Sequence, residues 1–169
     1  QSLRPAVPER SLSRIRKLAE TFTAGERKPW RTVRDALIDV PDPRKRGARF
    51  FHDHKFQDGA RVYKGHTGSP LDQPSKTLKA GAHGVPGGEN MMVRDDGSVR
   101  YFTVRESARL QTFPDGYTFH GAWGETMRQL GNAVPVALAR AMACSVAEQL
   151  ALTQLRNLAT QQQRQRNMA

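Results

Sequence analysis

Residues 105–121 read RESARLQTFPDGYTFHG, and residues 131–135 read GNAVP; this pair decides the reading of the fold. Just ahead of the first string, Thr103-Val104-Arg105-Glu106 fits a capping box. The Thr oxygen takes the third helical N–H and Glu106 reaches back to the first free donor. A helix should therefore open at Thr103 and run to about Thr112, where Pro114-Asp115-Gly116 stops it. On that helix Arg105 and Arg109 lie four apart on one side, while Leu110 and Phe113 can face a core.

Downstream, the sequence predicts a short helix over Glu125 to Leu130 with Gly131 as its C-terminal stop. The next helix should open at Pro135, where a missing N–H costs nothing. Leu138, Met142, Val146 and Leu150 recur every four residues there, which predicts a buried stripe. From Gln161 the chain is polar and Gln/Arg-rich, and fraying is expected.

Upstream, Asp96-Gly97 separates the apolar runs Met91 to Val93 and Val99 to Phe102. Asp-Gly suits a type I′ turn, so a β-hairpin is predicted that leads straight into the capped helix. Residues 57–98 are otherwise rich in Gly, His, Pro and Asp and predict loops and short strands. Residues 11–20 and 31–38 give two short helical candidates, the second ended by Pro41 and Pro43. Residues 44–49, RKRGAR, form a basic cluster: either a solvated loop or a phosphate contact by Arg44, Lys45 and Arg46.

The chain has 169 residues, 37% of them hydrophobic, with a mean hydropathy of −0.67, lean for a self-sufficient core. The net charge of +11 is uneven: residues 1–64 hold 16 Lys/Arg against 8 Asp/Glu, and residues 65–169 hold 11 against 8. Such a surplus attracts polyanions, nucleic acid most commonly, and the attraction should weaken steeply with salt. The lone Cys144 excludes an intrachain disulfide and a multi-cysteine metal site. There is no run of 18 apolar residues, so no membrane span is expected, and nothing near the start resembles a signal peptide. The first residue is Gln1 rather than Met, which suggests a fragment or a processed chain.

The two strings resemble motifs IX and X of the DNA (cytosine-5) methyltransferases. Arg-Glu-x-Ala-Arg-Leu-Gln-x-Phe-Pro-Asp matches motif IX at its characteristic positions. In that family this helix is a structural base, so Arg105, Glu106 and Arg109 are implied to organise rather than catalyse. Gly131-Asn132-Ala133-Val134-Pro135 resembles motif X, which implies that Asn132, Ala133 and Val134 lie near S-adenosylmethionine. A third stretch, Pro74-Ser75-Lys76-Thr77-Leu78-Lys79-Ala80-Gly81 and on to Asn90, is similar to the family's target recognition domains, where a Thr-Leu pair follows the variable segment. The resemblance implies that Thr77 and Leu78 sit by the DNA near the flipped cytosine, that Lys76 and Lys79 neutralise phosphates, and that Gly81 permits close approach of the main chain. The run Tyr63 to Ser69 would belong to the same region.

Several features imitate the family's chemistry without its context. Cys144 lies in Met-Ala-Cys-Ser on an apolar helix, not in the Pro-Cys of a nucleophile loop, and reads as a buried structural thiol. Glu89-Asn90 echoes Glu-Asn-Val but is followed by Met91, and Gln162, Arg164 and Arg166 spell Gln-x-Arg-x-Arg after motif X, the wrong order. His52 and His54 read as a surface or DNA-facing pair rather than a metal site, and no metal is expected. No Phe-x-Gly-x-Gly, Pro-Cys-Gln or ordered Glu-Asn-Val is present, so no catalytic residue is expected in this chain and the lone chain should be inactive.

The reading is an α+β chain: a connecting segment with short helices at 1–43, a small irregular recognition domain at 44–102, motif IX and X helices at 103–159, and a polar tail at 160–169. Its helices would dock on a Rossmann-like methyltransferase domain absent from this sequence. The implied partners are duplex DNA and a catalytic subunit or N-terminal half, with no membrane. The implied place is the cytoplasm, at the nucleoid. A free-standing sequence-specific DNA-binding module is the alternative, and an RNA-binding protein, suggested by charge alone, a more distant one.

Overall fold

A computed structural model describes residues 29–65, 67–79 and 90–168. The helix expected over 11–20 and the residue Gly81 lie outside that set. The chain divides into two units, residues 1–30 and 31–169, and the description below concerns the second.

Helix α1 (Val33–Ala36) starts in a capping box made by Thr32 and Asp35. Its first two free N–H groups donate to Gln73 O and Leu71 O, so a loop 40 residues away closes its N-terminus. A 3-10 turn, Arg46–Phe50, follows the Pro41/Pro43 break. Strands β1 (Ser69–Pro70), β2 (Met91–Val93) and β3 (Val99–Tyr101) form one sheet in that order. Strand β1 pairs parallel to β2, with Ser69 opposite Met92; β2 pairs antiparallel to β3, with Met92 opposite Arg100. Gly68 sits at φ +78° where a Cβ would stand 3.1 Å from Val93 Cγ2 and 3.3 Å from Met91 O, so β1 can approach β2 only behind a glycine.

The predicted hairpin is present, with a different turn. Gly97 N donates to Arg94 O and Arg94 N to Ser98 O; Gly97 has φ +77°, while Asp96 is not left-handed. That is a type I turn followed by a left-handed glycine, not a type I′ turn. The Asp96 carboxylate accepts the N–H and the hydroxyl of Ser98, which holds Asp96 in the right-handed region and leaves the positive φ to Gly97 alone.

Helix α2 (Val104–Leu110) carries the predicted capping box at Thr103 and Glu106. Gln111 caps it, and Thr112 at φ 59° turns the chain, with its hydroxyl accepting Ala137 N–H at 2.8 Å. Helix α3 (Trp123–Asn132) runs through Gly131, so that glycine is not the stop assigned from sequence; Ala133 is the C-cap. Two small cores flank α2. One joins Val33, Leu37, Leu78, Met92 and Phe102; the other joins Val104, Ala108, Met127 and Leu130, with Phe113, Phe119 and Trp123 against it.

Helix α4 (Val136–Met168) departs from expectation in three ways. It continues to Met168 where fraying was expected from Gln161. Its stripe is exposed: Leu138 is 52% accessible, Met142 61%, Val146 60% and Leu150 60%. Cys144 is exposed as well, not buried. The exposed stripe and the exposed thiol share one cause: among the described residues nothing covers the helix at these positions. An 18-residue window within Trp123–Asn157 reaches a mean hydropathy of 1.4, long and apolar enough by composition to cross a membrane, although no unbroken run of 18 apolar residues occurs. Small apolar residues between the stripe positions raise that average, while Arg140 and Glu148 interrupt it.

Candidate functional site

Helix α2 is an organising element whose three charged residues are tied down in different ways. Arg105 is fully buried; its guanidinium donates to the carbonyls of His52 (3.0 Å), Pro114 (3.3 Å) and Tyr117 (2.7 Å). It thereby fixes the loops on both sides of the helix. The Glu106 carboxylate, 1% exposed, accepts both terminal nitrogens of Arg100 at 2.7 and 2.6 Å and Thr103 N–H at 2.8 Å. Arg109 clasps Asp39 and Asp115, and hydrogen bonding to its guanidinium holds both carboxyls below the usual aspartate range. Arg105, Glu106 and Arg109 thus each join α2 to a different part of the chain.

Around this base lies a cleft of about 290 Å³ lined by Ser75, Lys76, Thr77 and Leu78 on one side and Gly131, Ala133 and Pro135 on the other, with Leu110 and Gln111 between. Two strings more than 50 residues apart in sequence therefore face each other. Gln111 holds the second string: its side-chain amide donates to Leu130 O at 2.8 Å, and its main-chain carbonyl accepts Val136 N–H at 3.0 Å. The first string is held by Leu78, buried in the core, and by Lys76, whose N–H donates to Ser69 Oγ and whose Nζ donates to Thr67 Oγ1. Thr77, Lys76 and Lys79 are exposed, as are Asn132 and Val134.

The basic cluster occupies another place. Arg44, Lys45 and Arg46 are exposed and line a wider groove of about 550 Å³ together with Arg49, Lys55 and Phe56. His54 lies beneath it at 5% exposure, with Nδ1 at 2.8 Å from Thr103 Oγ1 and Nε2 at 2.8 Å from Pro41 O. The expectation of a surface His pair is therefore wrong for His54. Pro41 O can only accept, so Nε2 carries a proton there. Among the described residues no group of three or more His, Cys, Asp or Glu could hold a metal ion.

Residues 16–148 match the model of the C-5 cytosine-specific DNA methylase family. This chain belongs to that family. The type II methyltransferase M.AplI of Arthrospira platensis is 37% identical over 137 residues, which cover 76% of this chain and 36% of that protein. M.AgeI of Thalassovita gelatinovora is 55% identical over 47 residues, covering 28% and 11%. M.PspPI of a Psychrobacter species is 39% identical over 79 residues, covering 47% and 18%. The chain therefore spans about a third, or less, of the length of these relatives. Family members act on DNA and use S-adenosylmethionine as the methyl donor.

Three structural residues of this family chain escaped the sequence reading. Arg100, Glu106's partner, sits on a strand whose alternation gave no warning that a charge points inward. His54 and Asp42 were hidden for the same reason: their partners lie far along the chain. The Asp42 carboxylate loses water, which raises its pKa, yet the Arg44 N–H and the Arg94 and Arg100 charges outweigh that and hold it below its ordinary value. Arg94 pairs with it at 2.6 Å.

Proposed function

We propose that this chain is the DNA-recognising and structural part of a DNA (cytosine-5) methyltransferase, its C-terminal portion. It supports methyl transfer to cytosine C5 in duplex DNA together with a catalytic half that carries the nucleophile and cofactor loops. The observation that carries this reading is the cleft: the Ser75–Leu78 segment and the Gly131–Pro135 turn come together on the motif IX helix. In this reading Lys76, Thr77, Lys79 and Gly81 meet the DNA near the extruded cytosine, and Arg44, Lys45 and Arg46 meet phosphates further off; Leu78, expected beside them, is buried in the core and anchors the segment instead.

The turn fits S-adenosylmethionine as one wall of a pocket and no more. It offers main chain and the small side chains of Asn132, Ala133 and Val134, and among the described residues the cleft lining contains no carboxylate that would hold a ribose. The bound cofactor supplies an electrophilic methyl group; the residues here would shape and close the space around it. The exposed face of α4 is the surface that would dock on the Rossmann-like half, in the cytoplasm with the DNA.

Complementation tests the proposal. The chain alone should transfer no methyl group to duplex DNA. Mixed with a polypeptide bearing Phe-x-Gly-x-Gly, Pro-Cys-Gln and Glu-Asn-Val motifs, it should restore transfer, and Asn132→Ala should raise the KM for S-adenosylmethionine. Transfer by the lone chain overturns the reading. So does sequence-specific DNA binding that no such partner converts into methylation, which favours the free-standing module.

A further inference from the structure

We infer that Thr112 is a positioning residue for methyl transfer. Its hydroxyl caps α4 from outside that helix, and so sets both the place of the Asn132–Val134 turn and the direction in which α4 leaves the fold. The part assigned to it in the reaction rests on the proposed function; the cap itself does not.

Thr112 stands where glycine is the usual residue. Helix α2 ends in a Schellman motif: Phe113 N–H donates to Ala108 O at 2.8 Å and Thr112 N–H to Arg109 O at 2.9 Å. That motif puts the residue after the C-cap, here Gln111, in the left-handed region, and Thr112 has φ 59°. Left-handed backbone strains any residue with a Cβ, and a β-branched one most. Glycine would make the same turn without strain, yet it would bring no hydroxyl.

That hydroxyl is used 25 positions further on. Pro135 stands at the cap position of α4, its carbonyl accepting Ala139 N–H at 2.9 Å, and proline has no side-chain oxygen with which to cap. The free N–H groups of the first turn are met from the exit of α2 instead. The main-chain carbonyl of Gln111 accepts Val136 N–H at 3.0 Å, and Thr112 Oγ1 accepts Ala137 N–H at 2.8 Å. On the other side of the turn the Gln111 side-chain amide donates to Leu130 O at 2.8 Å. Two adjacent residues therefore grip the turn at both ends. A cap from the preceding residue would join α4 only to its own turn and leave the helix free to swing. A cap from Thr112 joins it to α2, which Arg105, Glu106 and Arg109 fix in the fold. The strained backbone is what holds the hydroxyl at that bond.

The test uses the full chain, spin-labelled at its one cysteine, the exposed Cys144 on α4, and at Gln129→Cys on the exposed side of α3. Pulsed electron resonance reads the distance between the labels. Substitutions at position 112 separate hydroxyl, shape and strain. Thr112→Ser keeps the hydroxyl, Thr112→Val keeps the branched shape and the strain without the oxygen, and Thr112→Gly removes both oxygen and strain. The wild type and Thr112→Ser should give one narrow distance and slow amide exchange at Ala137. Thr112→Val and Thr112→Gly should broaden the distance and speed that exchange about fivefold, the factor that one N-cap bond supports. Thr112→Gly should melt at or above the temperature of Thr112→Val, so that loss of aim is separated from loss of stability. In the enzyme completed by a catalytic half, the KM for S-adenosylmethionine should rise about fivefold in the Val and Gly variants, with kcat within about twofold and Thr112→Ser like the wild type. A narrow distance with unchanged exchange in Thr112→Val, or a Thr112→Ser that behaves as Thr112→Val, overturns the cap. An unchanged KM in the Val and Gly variants of a completed, active enzyme overturns the role in methyl transfer, as does a KM that follows melting temperature rather than the hydroxyl. A wild type that no catalytic half completes sinks the proposed function, while the distance and exchange series still decides the cap.

Discussion

Replacing Glu106 by Ala tests the energetic centre of this fold. The carboxylate is 1% exposed and the Arg100 side chain 7%, with two bonds of 2.6–2.7 Å between them. The same carboxylate accepts Thr103 N–H, closing the first turn of α2. Removing it leaves a guanidinium buried without its counter-charge, which costs about 3–5 kcal/mol, and opens one side of a capping box, worth about 1 kcal/mol. The sum, about 4–6 kcal/mol, approaches the whole stability of a small domain, about 5–15 kcal/mol. Glu106→Ala should therefore be largely unfolded or have a sharply lowered urea midpoint at 25 °C. The pair is not intrinsically worth that much. Replacing Arg100 and Glu106 together by Met and Leu removes both desolvation costs, and should recover all but about 1–2 kcal/mol, the cap being still absent. Urea melts of the two single variants and the double variant form a cycle. A Glu106→Ala loss below about 1 kcal/mol, or a double variant as unstable as the single, would show that solvent reaches the pair and that the burial argument is wrong.

Gly97→Ala places a Cβ at φ +77° in open space, so only backbone strain acts; a loss of about 1–2 kcal/mol in thermal or urea melts is expected. Leu138→Asp and Met142→Asp lie on an exposed face and should change the stability of the lone chain by less than about 0.5 kcal/mol, while abolishing complementation by a catalytic half; a strongly destabilised lone chain would show that the helix packs on itself. Asp39 and Asp115 have depressed pKa values through Arg109, so their contribution is present above the ordinary aspartate value of about 3.9 and is lost as pH falls below it. Arg109→Gln should flatten stability against pH there, by no more than about 1 kcal/mol per half-exposed pair.

What the sequence disclosed was local. The Thr103/Glu106 capping box and the Asp96-Gly97 hairpin depend on residues within ten positions of one another, and both are present. What stayed hidden depends on partners far along the chain. The parallel pairing of Ser69 with Met92 involves a two-residue strand, too short for any period to register. His54 is buried because Thr103 and Pro41, 49 and 13 positions away, both bond it. Arg100 is the exception, since its partner Glu106 lies only six positions on; there a strand's alternation does not tell that a buried position holds a paired charge. For the candidate cleft, the two strings were legible, but their apposition was not. It needs Leu78 in one core and Gln111 bridging to Leu130, and neither contact has a sequence period.

The apolar stripe of α4 shows how one correct pattern can carry a wrong expectation. Four-residue spacing of Leu138, Met142, Val146 and Leu150 says that a surface wants to be covered; it does not say by which chain. The two cores close without it: Val104, Ala108, Met127 and Leu130 pack with Phe113, Phe119 and Trp123, and none of the described side chains of α4 is buried. The helix is nonetheless held at its root by Gln111 and Thr112, which follow α2. A face presented from a fixed root is preorganised for association, since aiming the helix has already been done within this chain. The family match ends at residue 148, inside the exposed stripe, and the matched segments cover 36% or less of these relatives. The proposal places the covering surface in a catalytic half, and Leu138→Asp and Met142→Asp would be felt there.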